Sequence, residues 1–150
     1  MAIQQTFVMI KPDAVSRGLV GEIIARFEKK GLKIKSMRLE MADPEVVAKH
    51  YEVHKERPFY AGLVDFITSG PVVPMIVEGE EAINVCRAVM GATNPVEGKP
   101  GEIRFDFGQH IGRNIIHGSD APETAEFEIG LWFPNGGAEY ARTDDAWLFE

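Results

Sequence analysis

Apolar and polar positions fall into short blocks along the chain. Residues 6–10, TFVMI, form a continuous apolar run that breaks at Lys11-Pro12-Asp13, the pattern of a buried strand entering a turn. Leu19, Val20, Ile23, Ile24 and Phe27 then share one helical arc, with Glu22, Arg26, Glu28 and Lys29 outside it. This predicts an amphipathic helix closed by Gly31. Leu32 and Ile34 alternate with lysines, and Met37, Leu39 and Met41 alternate in the opposite phase, which predicts one strand with a bulge near Ser36. Asp43-Pro44-Glu45 supplies an N-cap and a proline at the first helical position, opening a helix to about residue 55. Arg57-Pro58 opens another that ends near Gly70.

Residues 71–77, PVVPMIV, predict a second buried strand, in which Pro74 removes a ladder donor and favours an edge or bulge position. Residues 80–90 are helical by pattern, with Ile83, Cys86 and Met90 on one face and Gly91 at the end. From Gly91 to Gly101, five of eleven residues are Gly or Pro, and no periodic element follows until about Asn114. Ordinary connections run to ~4–6 residues, so a stretch this long points to a functional loop. Asn114-Ile115-Ile116-His117 is a last short strand, and Ser119-Asp120 then caps a helix through about Trp132, with Glu123 placed for a capping box. The tail, residues 134–150, is turn-rich at Asn135-Gly136-Gly137 and ends in the aromatic cluster Trp147-Leu148-Phe149. Helices alternating with strands predict an α/β or α+β sandwich with helices on one sheet face. Residues 1–150 form one expected domain, without repeat or linker.

Composition narrows the classes. The 45% apolar content is that of a globular chain. The single Cys86 cannot form an internal disulfide or a Cys-based zinc site and points to a reducing, cytoplasmic setting. The N-terminal MAIQQTFVMIKPD has no basic leader or cleavable apolar core, and no apolar run approaches the ~18–20 residues of a membrane span. The net charge of −7 argues against a broad nucleic-acid surface, which needs a basic stripe. That charge is unevenly placed: residues 1–117 carry 15 acidic and 15 basic side chains, whereas residues 118–150 carry 8 acidic side chains and only Arg142. A bound anion belongs in the neutral first part.

Neither a three-glycine dinucleotide fingerprint nor a Walker loop is present, because TNPVEGKP at residues 93–100 lacks the first glycine and the terminal hydroxyl residue. A nucleotide would therefore be held by side chains. Of the four histidines, His50 and His54 are spaced i, i+4 and could form half a zinc site, but no third ligand is indicated and the simpler reading is an amphipathic-helix pair. His110 reads as a solvent-facing loop residue. His117 ends an apolar strand beside a helix N-terminus, a place that suits either an active residue or a satisfied core histidine. Glu128 lies near the middle of an apolar helical arc formed with Ala125, Phe127, Ile129, Leu131 and Trp132. A carboxylate there needs a donor. His117 could be that donor, keeping its other ring nitrogen as nucleophile; an arginine partner or a misphased helix is the alternative. Lys29, Lys30, Lys33 and Lys35 read as a solvated face. Lys11, Arg87 and Arg104 sit at the ends of buried elements, where they would suit a polyphosphate or serve as ion-pair residues.

At Gly112-Arg113-Asn114-Ile115-Ile116-His117-Gly118-Ser119-Asp120 the sequence closely resembles the active-site signature of nucleoside diphosphate kinases. The likeness extends through TFVMIKPDAV, RGLVGEII, HYEVHKERPFYAGLVDFITSGPVV, ATNPVEGKPGEIR and EIGLWF to the tryptophan-bearing tail. The resemblance implies an α+β, ferredoxin-like sandwich: a four-stranded antiparallel sheet covered by helices, with an extended nucleotide-site loop. It also implies ping-pong transfer of a γ-phosphate, typically from ATP, to a nucleoside diphosphate through a phosphohistidine, with Mg²⁺ on the nucleotide. Carried over by position, His117 is the nucleophile and Glu128 the carboxylate that orients it. Lys11, Tyr51, Arg87, Thr93 and Arg104 match the phosphate-binding group, and Asn114, with Lys11, the contacts to ribose and phosphates. Phe59 matches the aromatic that stacks on the base, with Leu63 and Ile111 lining the slot. Glu102 and Phe105 depart from the family, which more often has a hydroxyl and a small residue there, and so bear on loop geometry. A homohexamer is implied, with a tetramer also possible. The competing readings are a binding module that has lost catalysis and an enzyme that phosphorylates a protein partner.

Overall fold

A computed structural model describes residues 3–150. Its sheet has the strand order β2-β4-β1-β5, with every neighbouring pair antiparallel, where β1 is Ile3–Ile10, β2 Lys33–Met37, β4 Pro71–Glu80 and β5 Ile116–Gly118. A two-residue strand, β3 (Glu40–Met41), pairs with the start of β4 beyond the end of β2. The expected single strand through residues 32–41 is thus two pieces. The register of β2 against β4 shifts between Ile34 and Ser36, which leaves Lys35 as the bulged residue.

The helices are α1 (Pro12–Ser16), α2 (Val20–Lys29), α3 (Pro44–His50), α4 (Tyr60–Ile67), α5 (Ala82–Met90), α6 (Ile103–Phe107), α7 (Pro122–Trp132) and α8 (Asp145–Leu148). They cover both faces of the sheet, correcting the expectation of one. Val8 and Ile10 of β1 pack with Ile23 and Phe27 of α2 and Cys86 and Met90 of α5. Phe7 and Met9 pack on the other face with Val47 of α3, Ile67 of α4 and Trp132 of α7. Burial on both sides explains why β1 and β4 read as unbroken apolar runs instead of alternating ones. Each fully buried side chain in these layers contributes ~1.5–3 kcal/mol relative to exposure.

Several boundaries differ for local reasons. Pro74 lies in the central strand β4, opposite Met9, and not at an edge. Arg38 N–H donates to the Pro74 carbonyl at 3.3 Å, but proline has no N–H to return, and β2 ends one residue earlier. The helix expected to reach residue 55 stops at His50 and continues as a 3-10 turn, Glu52–His54. Helix α7 begins from Ala121 without a side-chain cap, so Ser119, Asp120 and Glu123 make no capping box. The long loop holds a 3-10 turn, Pro95–Glu97, and the helix α6. Glu102 tightens it: its Oε1 accepts from Lys99 N–H at 2.7 Å. Arg17 and Arg26 pin it to the body through Phe107 O and Gly101 O.

The acidic tail crosses the outer edge of β2. Ala138 N–H donates to Lys35 O at 2.7 Å, the Tyr140 hydroxyl to Ile34 O at 2.6 Å, and Arg142 to the carbonyls of Gly31 and Leu32. Lys35 is therefore buried, 3% exposed, between Glu78 and Glu139, and Lys33 faces Glu78 and Asp145, which corrects their assignment to a solvated face. Covering an edge strand in this way removes a template for intermolecular pairing. Gly137 makes the crossing possible, because a Cβ there would lie 2.8 Å from the Lys35 carbonyl oxygen. Gly137→Ala should lower stability by ~1–3 kcal/mol, measured by urea unfolding, with an unchanged active site.

Candidate active site

The site grows from the end of β5. Pairing of Met9 with His117 sets the histidine on the same sheet face as Phe7, beneath α3 and α7. Glu128 emerges from α7 on the buried side with Ala125 and Trp132, at 4% exposure, as its helical phase requires, whereas Phe127 turns outward. His117 Nε2 lies 2.9 Å from Glu128 Oε1, which also accepts from Ser119 Oγ at 2.6 Å. With Nε2 donating to the carboxylate, the lone pair of Nδ1 is free for attack.

A second histidine completes the cluster. His50, at 5% exposure, accepts from Trp132 Nε1–H through Nδ1 at 3.0 Å. Indole can only donate, so the proton of neutral His50 must be on Nε2, which faces Glu128 Oε2 at 3.4 Å. Burial and the neighbouring His117 push His50 down to about 3, so it stays neutral. Burial alone pushes the Glu128 carboxyl up, but the hydrogen bond and charge of His117, with the Ser119 bond, outweigh it, and the net direction is downward. Ligand atoms of His50, His117 and Glu128 lie within 4.8 Å of one another, close enough to hold an ion. The proton pattern opposes that use, since His117 Nε2 donates to Glu128 and the proton of neutral His50 occupies its Nε2, which makes no hydrogen bond. His54 does not join the cluster and packs near Phe59 instead.

The cationic end lies where β1 gives way to α1. Lys11 Nζ donates to Asn114 Oδ1 at 2.7 Å, and Asn114 Nδ2 donates to the Thr93 carbonyl at 3.1 Å. Burial, helped by the charge of Arg104 and opposed by Asp13, brings Lys11 down to about 8. Arg87 donates to Gly118 O at 3.2 Å, and Arg104 to the carbonyls of Asn114, Gly91 and Ile116. These two arginines thus satisfy the carbonyls on the edge of β5 that no strand covers. Burial and the neighbouring Arg87 lower Arg104 to about 10, which leaves it charged at neutral pH. Three of its five N–H groups are engaged with backbone.

Phe59 precedes α4 and is 54% exposed, with Leu63 one turn on. Ile111 is 53% exposed in the loop that Arg113 holds against α4 by stacking on Phe66 at 4.2 Å. Tyr51 is buried beside His50 with an unpartnered hydroxyl, and burial together with the Glu128 charge pushes that phenol upward. Hydrogen bonds join Glu128 to His117, and Lys11, Arg87, Arg104 and the Thr93 carbonyl to β5 or to Asn114 just before it, whereas Phe59 packs beside His54. Ser119 was missed as a carboxylate donor, and His50 as the buried ring beside Glu128. Ser119 read as a helix cap, and the link from His50 to Trp132 spans 82 residues, with no local signal.

Residues 4–137 match the family model described as nucleoside diphosphate kinase. A nucleoside diphosphate kinase from Synechococcus sp. (strain CC9311) is 56% identical, covering 100% of this chain and 99% of that relative. One from Archaeoglobus fulgidus is 52% identical over 99% of both. Among solved structures, a halophilic nucleoside diphosphate kinase from Halobacterium salinarum in complex with CDP superposes with a TM-score of 0.96 at 44% identity, covering 99% of this chain and 100% of that one.

The neutrality of buried His50 sets the acid stability of the fold. Unfolded His50 takes up its proton near pH 6.5 and the folded group only near 3, so the unfolded state binds more protons between those values. Stability should fall as pH drops through that window. In His50→Gln, which keeps an acceptor for Trp132, the decline of Tm between pH 6.5 and 4 should be shallower.

Proposed function

The chain belongs to the nucleoside diphosphate kinase family, whose reaction moves the γ-phosphate of a nucleoside triphosphate to a nucleoside diphosphate, and we propose that His117 Nδ1 carries the phosphoryl group between the two. The observation that carries this assignment is the Glu128 carboxylate, which holds His117 Nε2 at 2.9 Å and leaves Nδ1 free. In the first half-reaction Nδ1 attacks the γ-phosphorus, a P–N bond forms, and the bond to the β,γ-bridging oxygen breaks. The electron pair leaves with the nucleoside diphosphate. A terminal phosphate oxygen of the second diphosphate then attacks the same phosphorus and restores the free histidine. Glu128 stabilises the positive charge that develops on the imidazole, and Ser119 and His50 keep that carboxylate in place. One site serving both halves accounts for ping-pong kinetics.

Lys11, Arg87, Arg104, Thr93, Tyr51 and Asn114 are proposed to hold the phosphates and ribose. Phosphoryl transfer depends chiefly on positioning and on neutralising the equatorial oxygens, so preset cations around an aligned nucleophile are sufficient. Mg²⁺ enters as part of the nucleotide substrate, on its phosphates. The exposed ring of Phe59 suits stacking, which grips any base face and favours breadth over discrimination. Leu63 and Ile111 would flank that base. Exposed Met37 at the end of β2, Leu39 in the link after it and Met41 on β3 support assembly into a homohexamer or tetramer. Among the described residues no helix is long and apolar enough to cross a membrane. A cytoplasmic setting suits the buried thiol of Cys86, whose burial pushes it up to about 12.

Mixing the protein with ATP and Mg²⁺ should add one phosphoryl mass, discharged by GDP. His117→Ala should abolish the adduct, and an adduct that persists in that variant would show the nucleophile to be elsewhere. Glu128→Ala should retain the adduct but form it ~10²–10⁴-fold more slowly, the range for losing a proton-handling partner. Phe59→Ala should raise the nucleotide KM by a similar factor for purines and pyrimidines, ~1–3 kcal/mol per stacked base.

A further inference from the structure

Two residues before His117 the backbone is strained. Ile115 has φ of +80°, a conformation rare for any non-glycine residue and an outlier for a β-branched one. Ile116 N–H reaches back to the Asn114 carbonyl at 2.8 Å, so Ile115 is the centre of a three-residue turn of the strained, positive-φ kind. Such a conformation persists only where its surroundings hold it. Two bonds do so. The Lys11 N–H donates to the Ile115 carbonyl at 2.9 Å, and the Ile115 N–H donates to Asp13 Oδ2 at 3.1 Å. The first is a continuation of the β1–β5 pairing. The second comes from a side chain otherwise without assigned work.

We propose that Asp13 is a positioning residue for phosphoryl transfer: its carboxylate clamps the strained turn at Ile115, which sets Asn114 against Lys11 and delivers His117. The inference rests on the reading of His117 as nucleophile. Ile115 is fully buried, so without Asp13 its N–H would have no partner and the turn could relax to negative φ. That relaxation would rotate the peptide beside Asn114, whose side chain ties Lys11 to the Thr93 carbonyl. The other Asp13 oxygen, Oδ1, is buried without a partner, so its negative charge is poorly compensated locally and acts on the nearby ammonium. The groups that bear electrostatically on Lys11 are Arg104, which lowers it, and Asp13, which raises it. Its hydrogen-bond partner Asn114 is uncharged, and His50 remains neutral above pH 4.

The test compares Asp13→Asn and Asp13→Ala with the unmodified protein in single-turnover phosphorylation by Mg-ATP, from pH 6.5 to 9.5. Asp13→Asn keeps an acceptor of the same shape but loses the charge. Its rate at pH 6.5 should stay within about 3-fold, since the hydrogen bond survives, while any alkaline limb set by Lys11 moves to lower pH. Asp13→Ala should show the same displaced limb and, in addition, a rate ~5–150-fold lower at all pH values, the cost of an unsatisfied buried group, with nucleotide KM changed less. Far-UV circular dichroism and Tm establish the folded fraction in each sample. A folded Ala variant as fast as the unmodified protein, an Asn variant as slow as the Ala variant, or an Ala variant whose loss equals its loss of folded protein would overturn the proposal. Failure of the unmodified protein to form any adduct would instead overturn the nucleophile assignment.

Discussion

The site depends on one buried carboxylate. Glu128 is 4% exposed on the inner face of α7, and leaving such a charge unpaired would cost several kcal/mol. Its surroundings answer that need: a ring nitrogen of His117 and the hydroxyl of Ser119 bond Oε1, and the neutral ring of His50 lies 3.4 Å from Oε2. Both donors come from β5 and the turn after it, so the carboxylate is satisfied only when α7 packs against them. Satisfying Glu128 and orienting His117 are consequently the same event.

The two ends of the sheet solve a common problem by different means. Both β2 and β5 are edge strands, and both would present unpaired carbonyls. At β2 the tail lies alongside and donates from Ala138, Tyr140 and Arg142. At β5 no backbone covers the edge, and two guanidinium groups do so. Edge protection at β5 thereby concentrates positive charge beside His117. A site that must hold polyphosphate benefits directly, because the cations are already fixed by backbone carbonyls before any anion arrives.

Much of this was legible in the sequence, and what was not has definable causes. Glu128 could be identified because helical phase is a local property, and its burial followed from neighbours three and four positions away. The bulge before Ser36 was equally local. His50 was not legible, because its proton is fixed by Trp132 and its purpose by Glu128, both on α7. Two-sided coverage of the sheet also escaped, since a continuous apolar run is compatible with either one or two covering layers until the helices are counted on each side. Pro74 misled because the rule against proline in central strands applies to the donor and not to the position: its neighbour β2 stops just where that donor would be needed.

Net charge illustrates the limit of whole-chain quantities. The excess of seven negative charges lies after residue 117, yet it is not merely a solvated coat. Glu139 lies 3.1 Å from buried Lys35, and Asp145 faces Lys33, so part of the acidic tail neutralises the lysines of the strand it covers. The tail is acidic where its docking surface is basic, and Glu128 is acidic where two donors converge. The cations of the phosphate end are therefore not offset by the tail's charge, which is spent at the opposite edge of the sheet from β5. A protein of negative overall charge can in this way keep a locally positive cluster beside β5, and over a distance comparable to the ~8 Å screening length it is that cluster's charge, not the net charge, that a nearby anion meets.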